Sequence, residues 1–405
     1  MPAKPEHLLG SSHDMLSVTP FEHYMWADDH PAYPMVFYLK SFHPEPLDWG
    51  RWEQAVKQSL TTTPLLNSVL VGNKNQPTAG LRWQQTPQDR GDAIVAPATG
   101  SWTAPDLTEQ PGVKVFLAEE GAGTTIYWQF HHACVDAKGG LSFVRKVCQV
   151  YNGQSKPDSA VPAGPRDFWD QHWTERRHYP FRLSRQEKTR RLGKDLKRIV
   201  AFQSHSFCSL RPSEKGSAHC KSVATLPALH HYSEVLSATA TGQMKRICHR
   251  YQVTVNDLLL AGFFKGIFDC HGDLNGRYFR IAMPIDLRRQ ADAAGEIPAN
   301  LVSMCFLDRK QSQCQDLKAL LLGIRQETAQ IKKDNMGLAL CRVVGRLGQI
   351  PYALGTFLRP NTPFSSMVLS NLGRLSQAEW SQLGVERLEL LPPIRYGNQL
   401  SVGCS

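Results

Sequence analysis

Two series of alternating strand and helix patterns, separated by a basic segment, restrict this chain to a mixed α/β fold. In the first series, apolar residues recur with period two in the strands and with helical spacing in the helices. The predicted strands are 35–39, 67–71, 81–84, 112–117 and 124–130, and the predicted helices are 47–60 and 141–151. Residues 18–34, which precede the first strand, are interpreted as starting with a turn.

The second series begins near residue 221 and repeats the same mixture. Its predicted strands are 222–226, 279–288, 301–307, 367–373, 386–391 and 399–404. Its predicted helices are 238–251, 316–333, 343–358 and a further helix that begins at 253–257. A chain of 405 residues exceeds what one hydrophobic core usually organises. The sequence therefore predicts an α/β (α+β) fold of two halves, 1–165 and 221–405, joined by a basic helical connector at 166–220.

The connector carries a cluster of positive charge. Residues 176–198 hold ten Lys or Arg against Glu187 and Asp195, in a chain whose formal net charge is +10. A solvated helix face is the default interpretation of such a run. Nucleic acid is not an expected partner, because the sequence has no recognised nucleic-acid-binding module. It also lacks the aromatic residues interspersed among basic ones that proteins use to bind single-stranded nucleic acid.

The composition argues against several other classes. Apolar residues make up 41% and charged residues 20% of the chain, which is ordinary for a globular protein. The best membrane-span candidate, 258–268, is short of the ~20 apolar residues required and is interrupted by Lys265. Ten scattered cysteines without a C-x-x-C spacing indicate reduced thiols rather than disulfides or a zinc site. We therefore expect a cytoplasmic protein without a bound metal.

The stretch HHACVDA places His131, His132 and Asp136 at the end of the predicted strand 124–130. Successive side chains of a strand point to opposite faces, so only one histidine can face a given cleft. Buried histidines that bond to backbone are one interpretation, and a zinc site is another, although it lacks further ligands. A general base is the third, since the histidine pKa lies near neutral pH. Cys134 remains an alternative candidate, as a nucleophilic thiol that would carry the acyl group.

HHACVDA resembles the HHxxxDG motif of the chloramphenicol acetyltransferase-like superfamily. This superfamily includes nonribosomal peptide condensation domains, coenzyme A-dependent alcohol acyltransferases and bacterial wax ester synthase/diacylglycerol acyltransferases. Further landmarks resemble the family in the same order over nearly the whole chain, at 18–35, 46–70, 148–153, 253–263, 283–288 and 368–373. The resemblance implies two similar halves with an active-site tunnel between them.

The resemblance also implies roles for individual residues. His132 matches the family's base and His131 its structural neighbour, while Asp136 is expected to pair with Arg288 and hold the loop. Candidates for the tunnel lining or for oxyanion stabilisation are Ser370, Asn371, Asn256 and, more weakly, Asn300. Residues 254–257 also fit a helix-capping box and residues 370–373 a strand-ending turn, which are plainer interpretations.

Position 137 departs from the family pattern, because Ala137 stands where the motif has glycine. If the position needs a positive φ, alanine is strained; if it does not, the methyl group narrows the tunnel beside His132. The intact histidine and aspartate favour retained activity. A decayed site in a non-catalytic protein that serves binding is the alternative.

The implied activity is acyl transfer from a thioester to a hydroxyl, with an amine as the second choice of acceptor. The donor would be acyl-coenzyme A or the phosphopantetheine arm of an acyl-carrier protein, used as a co-substrate with no bound cofactor. Residues 176–198 suit either donor, because coenzyme A brings phosphates and carrier proteins are acidic. The same patch together with residues 342–360 would suit an anionic lipid surface, which makes peripheral membrane contact an alternative in lipid or secondary metabolism.

Overall fold

The computed structural model describes residues 15–86, 95–98, 102–154, 202, 204–208, 231–288, 298–334, 338–358, 363–395, 398 and 400–405. The predicted strand 222–226 and the basic run 176–198 lie outside the described residues. Of the connector 166–220, only residues 202 and 204–208 are described.

The described elements are a mixture of strands and helices, as the two series predict. The strands are β1 Met15–Ser17, β2 Val36–His43, β3 Ser68–Val71, β4 Arg82–Gln85, β5 Val95–Pro97, β6 Val113–Glu120, β7 Gly123–His131, β8 Phe279–Asp286, β9 Val302–Arg309, β10 Met367–Asn371, β11 Arg387–Leu391 and β12 Leu400–Cys404. The helices are α1 Pro20–Ala27, α2 Trp49–Leu60, α3 Ala137–Tyr151, α4 Ala238–Tyr251, α5 Val255–His271, α6 Leu317–Lys333, α7 Leu338–Leu347, α8 Ala353–Phe357 and α9 Gln377–Gln382.

Three sheets organise these strands. The order β11-β2-β7-β6-β5 forms the largest sheet, β12-β10-β8-β9 forms the second, and β1-β4-β3 forms a small antiparallel one. Strand β7 lies in the middle of the first sheet, antiparallel to both β2 and β6. In the second sheet, β10 runs parallel to β8 and β12, whereas β9 is antiparallel to β8. This is the mixed α/β architecture that the sequence predicts.

The two halves share the first sheet rather than standing apart. Strand β11, which the sequence groups with the C-terminal half, pairs along its whole length with β2. At the crossing of the sheets, a Cβ on Gly403 of β12 would lie 2.1 Å from the Leu390 carbonyl oxygen, so only glycine allows this approach. The end of β7 is therefore held next to elements that come from both halves.

The described residues form two hydrophobic cores, and the first also includes residues from the C-terminal part of the chain, such as Trp380 and Leu390. In the first, α2 and α3 cover the large sheet, and Trp52 packs on Trp128 with ring centroids 5.7 Å apart. In the second, α5 and α6 cover the four-stranded sheet, where Phe264 packs edge to face against Phe279. Burial of such apolar surface is the main stabilising term of each core. Among the described residues, none of the helices has the length and apolarity that crossing a bilayer requires.

The opening segment corrects one expectation. Residues Pro20–Ala27 form helix α1 instead of starting with a turn, and a Thr19–Glu22 capping box begins it. The helix is buried on every side from Phe21 to Trp26, so its sequence lacks the one-sided apolar pattern that indicates a helix. The capping box with proline at its first position was the available signal.

A second correction concerns the apolar stretch 343–358, which forms parts of two helices rather than one. Helix α7 ends at Leu347, and α8 begins at Ala353. The Gly348 carbonyl between them accepts the N–H of Thr78, 2.7 Å away, and Tyr352 adopts a left-handed φ of 62°. Pro351 cannot donate a helical hydrogen bond, so the continuous apolar pattern does not extend the helix across it.

Candidate active site

The end of strand β7 presents the histidine pair with opposite orientations. The His131 N–H donates to the Gly112 carbonyl and the His132 N–H donates to the Met35 carbonyl, each at 2.8 Å. Pairing therefore continues through both residues, and their side chains alternate as in a strand. His131 is fully buried, whereas His132 is partly exposed. Of the two histidines, only His132 keeps some exposure to solvent.

His131 is fixed inside the first half. Its Nδ1 accepts the Ala133 N–H at 3.1 Å, so the ring proton of its neutral form sits on Nε2. That nitrogen lies 3.7 Å from Oδ1 of Asp29. Burial raises the pKa of Asp29, but interactions with His131, Lys74 and the Met35 N–H outweigh it and lower the pKa to about 2. Asp29 is a site residue that the sequence analysis missed.

The surroundings of the His132 ring lower its pKa and so favour its neutral form. The ring packs edge to face with Phe37, with ring centroids 5.3 Å apart and an interplanar angle of 64°. Burial lowers the pKa of His132, and the proximity of His131 adds to this effect. A contact with its own backbone carbonyl and the charge of Asp136 oppose the shift without reversing it. A neutral imidazole near neutral pH is the form that accepts a proton.

Asp136 joins the motif to the C-terminal half. It caps helix α3, with Oδ1 accepting the Gly139 N–H at 2.9 Å. Its Oδ2 accepts from Nη1 of Arg288 at 2.7 Å and from the Leu301 N–H at 2.8 Å. Both charged side chains are less than a tenth exposed, at 6% for Asp136 and 8% for Arg288. The structure thus brings together two residues 152 positions apart in the sequence.

A second ion pair crosses between the halves beside the first. Lys138 Nζ lies 2.8 Å from Oδ2 of Asp286, whose Oδ1 accepts the Arg288 N–H at 3.0 Å. Burial raises the pKa of Asp286, but the hydrogen bond and charge of Lys138, together with Arg288, produce a net lowering. Neither Lys138 nor Asp286 was singled out in the sequence, since isolated charges near a motif carry no pattern.

Close packing holds this junction together. A Cβ on Gly139 would lie 2.5 Å from Val135 Cγ2 and 3.0 Å from both the N and O atoms of Ala299. The segment before β9 therefore reaches the start of α3 only because position 139 is glycine. It also carries Asn300, whose Nδ2 donates to the His132 carbonyl at 2.6 Å.

Ala137 occupies an ordinary helical position. It is the first residue of α3, directly after the capping Asp136, and it is not among the residues with positive φ. The strain that a lost glycine would imply is therefore not present at this position. The methyl group packs against the first hydrophobic core.

We expect Ala137→Gly to lower the free energy of unfolding by about 0.4 to 1 kcal/mol, because glycine gains more conformational freedom in the unfolded chain. If the methyl group also narrows the passage to His132, as the sequence predicts, its removal should widen the range of acyl chains or acceptors that react. Urea denaturation measures the first effect, and rates over a series of chain lengths measure the second. A variant that is more stable, and is active where the natural protein is inactive, would contradict this prediction.

The other candidate residues take up local roles in the described structure. Thr254 and Asp257 form a capping box at the start of α5, and Nδ2 of Asn256 lies 2.7 Å from Sδ of Met283. Oδ1 of Asn371 accepts the N–H of Gly373, which has a φ of 83° and ends β10 in a turn. Ser370 is partly buried in β10, opposite Gly403. A role of these side chains toward a substrate stays a prediction.

Cys134 lies in the core rather than at the surface of the site. It is fully buried, and a Cβ on Gly112 would lie 2.2 Å from its Sγ. Burial raises the pKa of its thiol well above the usual value, with the charge of Glu22 adding to the rise. A thiol that stays protonated and enclosed is a poor nucleophile. Within the described ranges, no cluster of three His, Cys, Asp or Glu side chains is arranged to hold a metal.

Comparison with known proteins identifies the architecture. No family model and no curated protein matches the sequence. The solved structures that resemble it include the first condensation domain of the calcium-dependent antibiotic synthetase in complex with a substrate analogue, at 12% identity and a TM-score of 0.62 over 91% of this chain and 82% of that one. TRI101 of F. sporotrichioides complexed with coenzyme A and T-2 aligns at 13% identity and 0.58, over 95% and 90%.

A third similar structure is polyketide synthase associated protein 5 from Mycobacterium tuberculosis, at 15% identity and a TM-score of 0.59 over 98% of this chain and 91% of that one. Identities this low show a common fold and leave the chemistry to be argued from the site. The chain therefore has the mixed α/β fold of these condensation-domain and TRI101 structures, in line with the resemblance of its sequence landmarks.

Proposed function

We propose that this protein transfers an acyl group from a thioester to a hydroxyl acceptor, with an amine as the second choice, and that His132 is the general base. The observation that carries the proposal is the setting of His132. Its ring is the partly exposed one of the pair, its pKa is lowered, and the following Asp136 is anchored to Arg288 of the C-terminal half.

The chemistry requires one group that first accepts and then returns a proton. His132 removes the proton from the acceptor oxygen, which attacks the thioester carbonyl carbon to form a tetrahedral intermediate. The intermediate collapses as the carbon–sulfur bond breaks, and His132 returns the proton to the leaving thiolate. Polar donors must face the oxyanion, and Ser370, Asn371 and Asn256 are our candidates in a tunnel between the halves.

The donor is proposed to be acyl-coenzyme A or an acylated phosphopantetheine arm. Similar structures include a coenzyme A complex, condensation domains and a cyclization-docking bidomain from Sorangium cellulosum, which support a thioester donor by analogy of fold. The basic run 176–198 would suit the phosphates of the first donor or the acidic surface of a carrier protein.

The test is a panel of acyl-coenzyme A and acyl-pantetheine donors, each incubated with alcohols and amines of different size. Release of free thiol is followed with a colorimetric thiol reagent, and the ester or amide product is identified by mass spectrometry. Reactions without acceptor measure background hydrolysis. Thiol release that depends on the acceptor supports the proposal, whereas saturable thioester binding without any release supports the non-catalytic binding role.

We expect kcat/KM to rise with pH through the lowered pKa of His132 and to level off above it. The base works only when neutral, so activity falls as the pH drops below a midpoint that lies under the ordinary value of 6.5. Rates measured from pH 4.5 to 8.5, with circular dichroism at each pH to show that the fold persists, check this. A midpoint above 6.5 would contradict the assigned environment of the ring.

We expect Cys134→Ala to retain acyl transfer, because the proposed reaction passes through no acyl-cysteine. Exposed Cys270 provides the matched control, since a maleimide should modify it in the native protein while Cys134 resists until the chain unfolds. Mass spectrometry of the intact protein after incubation with donor alone gives the second measurement. A covalent acyl adduct that disappears in Cys134→Ala would replace direct transfer with a two-step mechanism.

A further inference from the structure

The turn between helices α7 and α8 displays two large apolar side chains to solvent. Residues 349–352 are four exposed residues in a row, and within them Ile350 is 58% and Tyr352 is 66% exposed. Single exposed apolar residues are common on soluble proteins and need no explanation. Two of them in one short turn form an apolar tip, and exposed apolar surface with polar surroundings is typical of a contact site.

The turn is held firmly against the rest of the chain. The Tyr352 N–H donates to the Asn75 carbonyl at 2.9 Å, and the Thr78 N–H donates to the Gly348 carbonyl at 2.7 Å. A Cβ on Gly348 would lie 2.4 Å from Oγ1 of Thr78, so the turn sits directly on the loop 72–80. These contacts fix the backbone of the tip and leave its side chains on the outside.

The backbone of Tyr352 has a conformation that an aromatic residue rarely adopts. Its φ of 62° lies in the left-handed region, where a Cβ is crowded and glycine is the usual residue. Because most of the side chain is exposed, packing within the chain recovers little of this cost. Backbone strain of this kind is concentrated at functional positions. We therefore interpret Tyr352 as a residue displayed for contact with another surface.

The charge around the turn is positive. The two segments that meet there, 72–85 and 338–358, contain no Asp or Glu but include the basic residues Lys74, Arg82, Arg342 and Arg346. Lys74 lies 3.5 Å from Asp29, which partly neutralises it, whereas Arg346 is exposed near the end of α7. The surface therefore favours a partner with negative charge. It disfavours a second copy of this chain, because a two-fold dimer would place the same basic patch against itself.

We propose that the α7–α8 turn is a membrane contact: Ile350 and Tyr352 enter the headgroup region of an anionic lipid surface, and Arg346 pairs with lipid phosphates. Tyrosine suits this position, because its ring is apolar while its hydroxyl stays hydrated. A small apolar tip with basic neighbours gives reversible binding to the surface rather than insertion across the bilayer. The inference does not depend on the proposed acyl transfer.

Vesicle flotation with the whole chain tests the proposal. The protein is mixed with vesicles of phosphatidylcholine alone, or of equal parts phosphatidylcholine and phosphatidylglycerol, and the bound fraction is measured. We expect binding to the anionic vesicles that weakens at high salt, and little binding to the neutral ones. Ile350→Glu should weaken binding by at least about tenfold, since it removes apolar contact and adds a repelled charge. Arg346→Gln should weaken it by about fivefold, the effect of one basic residue at an anionic surface.

A variant of Tyr352 separates display from folding. Tyr352→Gly removes the ring but suits the left-handed φ, so vesicle binding should fall while the melting temperature stays at least as high as that of the wild type. Leu322→Ser is the matched apolar control, because Leu322 is 42% exposed on helix α6. Lys245→Gln, exposed on helix α4, is the control for charge. Neither control should change vesicle binding.

Other results would overturn the proposal. Wild-type protein that does not float with anionic vesicles, or that floats equally with neutral ones, contradicts the assigned lipid surface. Binding that persists in both Ile350→Glu and Tyr352→Gly places the lipid contact elsewhere on the chain. Self-association that Ile350→Glu abolishes, measured by sedimentation velocity without vesicles, would assign the turn to an interface between copies. None of these measurements uses acyl transfer, so this proposal and the proposed function can fail separately.

Discussion

Replacing His132 with alanine is expected to lower the rate of acyl transfer by at least about 100-fold, while the melting temperature stays near that of the wild type. General-base catalysis commonly contributes 10²- to 10⁴-fold, and the described site has no second ring in the same place that could substitute for it. His132 is partly exposed, and its described aromatic contact is an edge-to-face contact with Phe37. Its removal should therefore leave the core intact.

Two other histidines make this result interpretable. His131→Ala should show the opposite pattern, with a clear loss of melting temperature, because His131 is fully buried and its Nδ1 accepts the Ala133 N–H. His249 is exposed on helix α4, so His249→Ala should change neither property. Initial rates of thiol release and thermal melts by circular dichroism, measured on all three variants, complete the comparison.

A different pattern would reassign the residue. If His132→Ala lowers the melting temperature by many degrees and reduces the rate only a few-fold, then His132 contributes packing and the base must be sought elsewhere. A second outcome is that His132→Ala lowers the acceptor-dependent release of thiol but leaves the hydrolysis of the donor by water, measured without acceptor, unchanged. In that case His132 orients the acceptor rather than removing its proton. Both outcomes would remove the central step of the proposed mechanism.

The local pattern of the sequence was sufficient to predict most of the strands and helices. Strand β7 shows period-two apolar alternation, and helix α6 shows one-sided apolar spacing, so each is recognisable without tertiary information. Helix α1 is the exception because its residues are buried on all sides, which removes the periodic signal. The break between α7 and α8 has a local signal in Pro351, and the contact of Gly348 with Thr78, which is a tertiary effect, accompanies it.

The candidate site was predicted to a smaller extent, and the reason is physical. The closeness of Asp136 and Arg288 came from resemblance, since nothing in the spacing of two residues 152 positions apart specifies a contact. Asp29 lies near His131 only because helix α1 ends beside the first sheet. Asn300 contacts the His132 carbonyl through a single hydrogen bond, and such bonds leave no periodic trace in the sequence.

The pairing of Asp136 with Arg288 should give the largest effect on stability. We expect each single alanine substitution to lower the free energy of unfolding by about 3 to 5 kcal/mol, because each leaves a buried charge without its partner. Asp136→Ala also removes the α3 cap and leaves the Gly139 and Leu301 N–H groups without their acceptor, so it should be the more severe of the two. Urea denaturation of each variant measures these losses.

The double variant tests whether the two effects share one cause. With both charges gone, no uncompensated ion remains in the interior, so the combined loss should be smaller than the sum by about 1 to 3 kcal/mol. The matched control is the exposed pair Lys57–Glu53, which is 40% and 38% exposed and should show a coupling of at most about 0.5 kcal/mol. Strict additivity for Asp136 and Arg288 would mean that Asp136 acts only as a helix cap and backbone acceptor. The anchoring of the histidine loop by the C-terminal half would then rest on the Lys138–Asp286 pair and on the packing of Gly139 against Ala299.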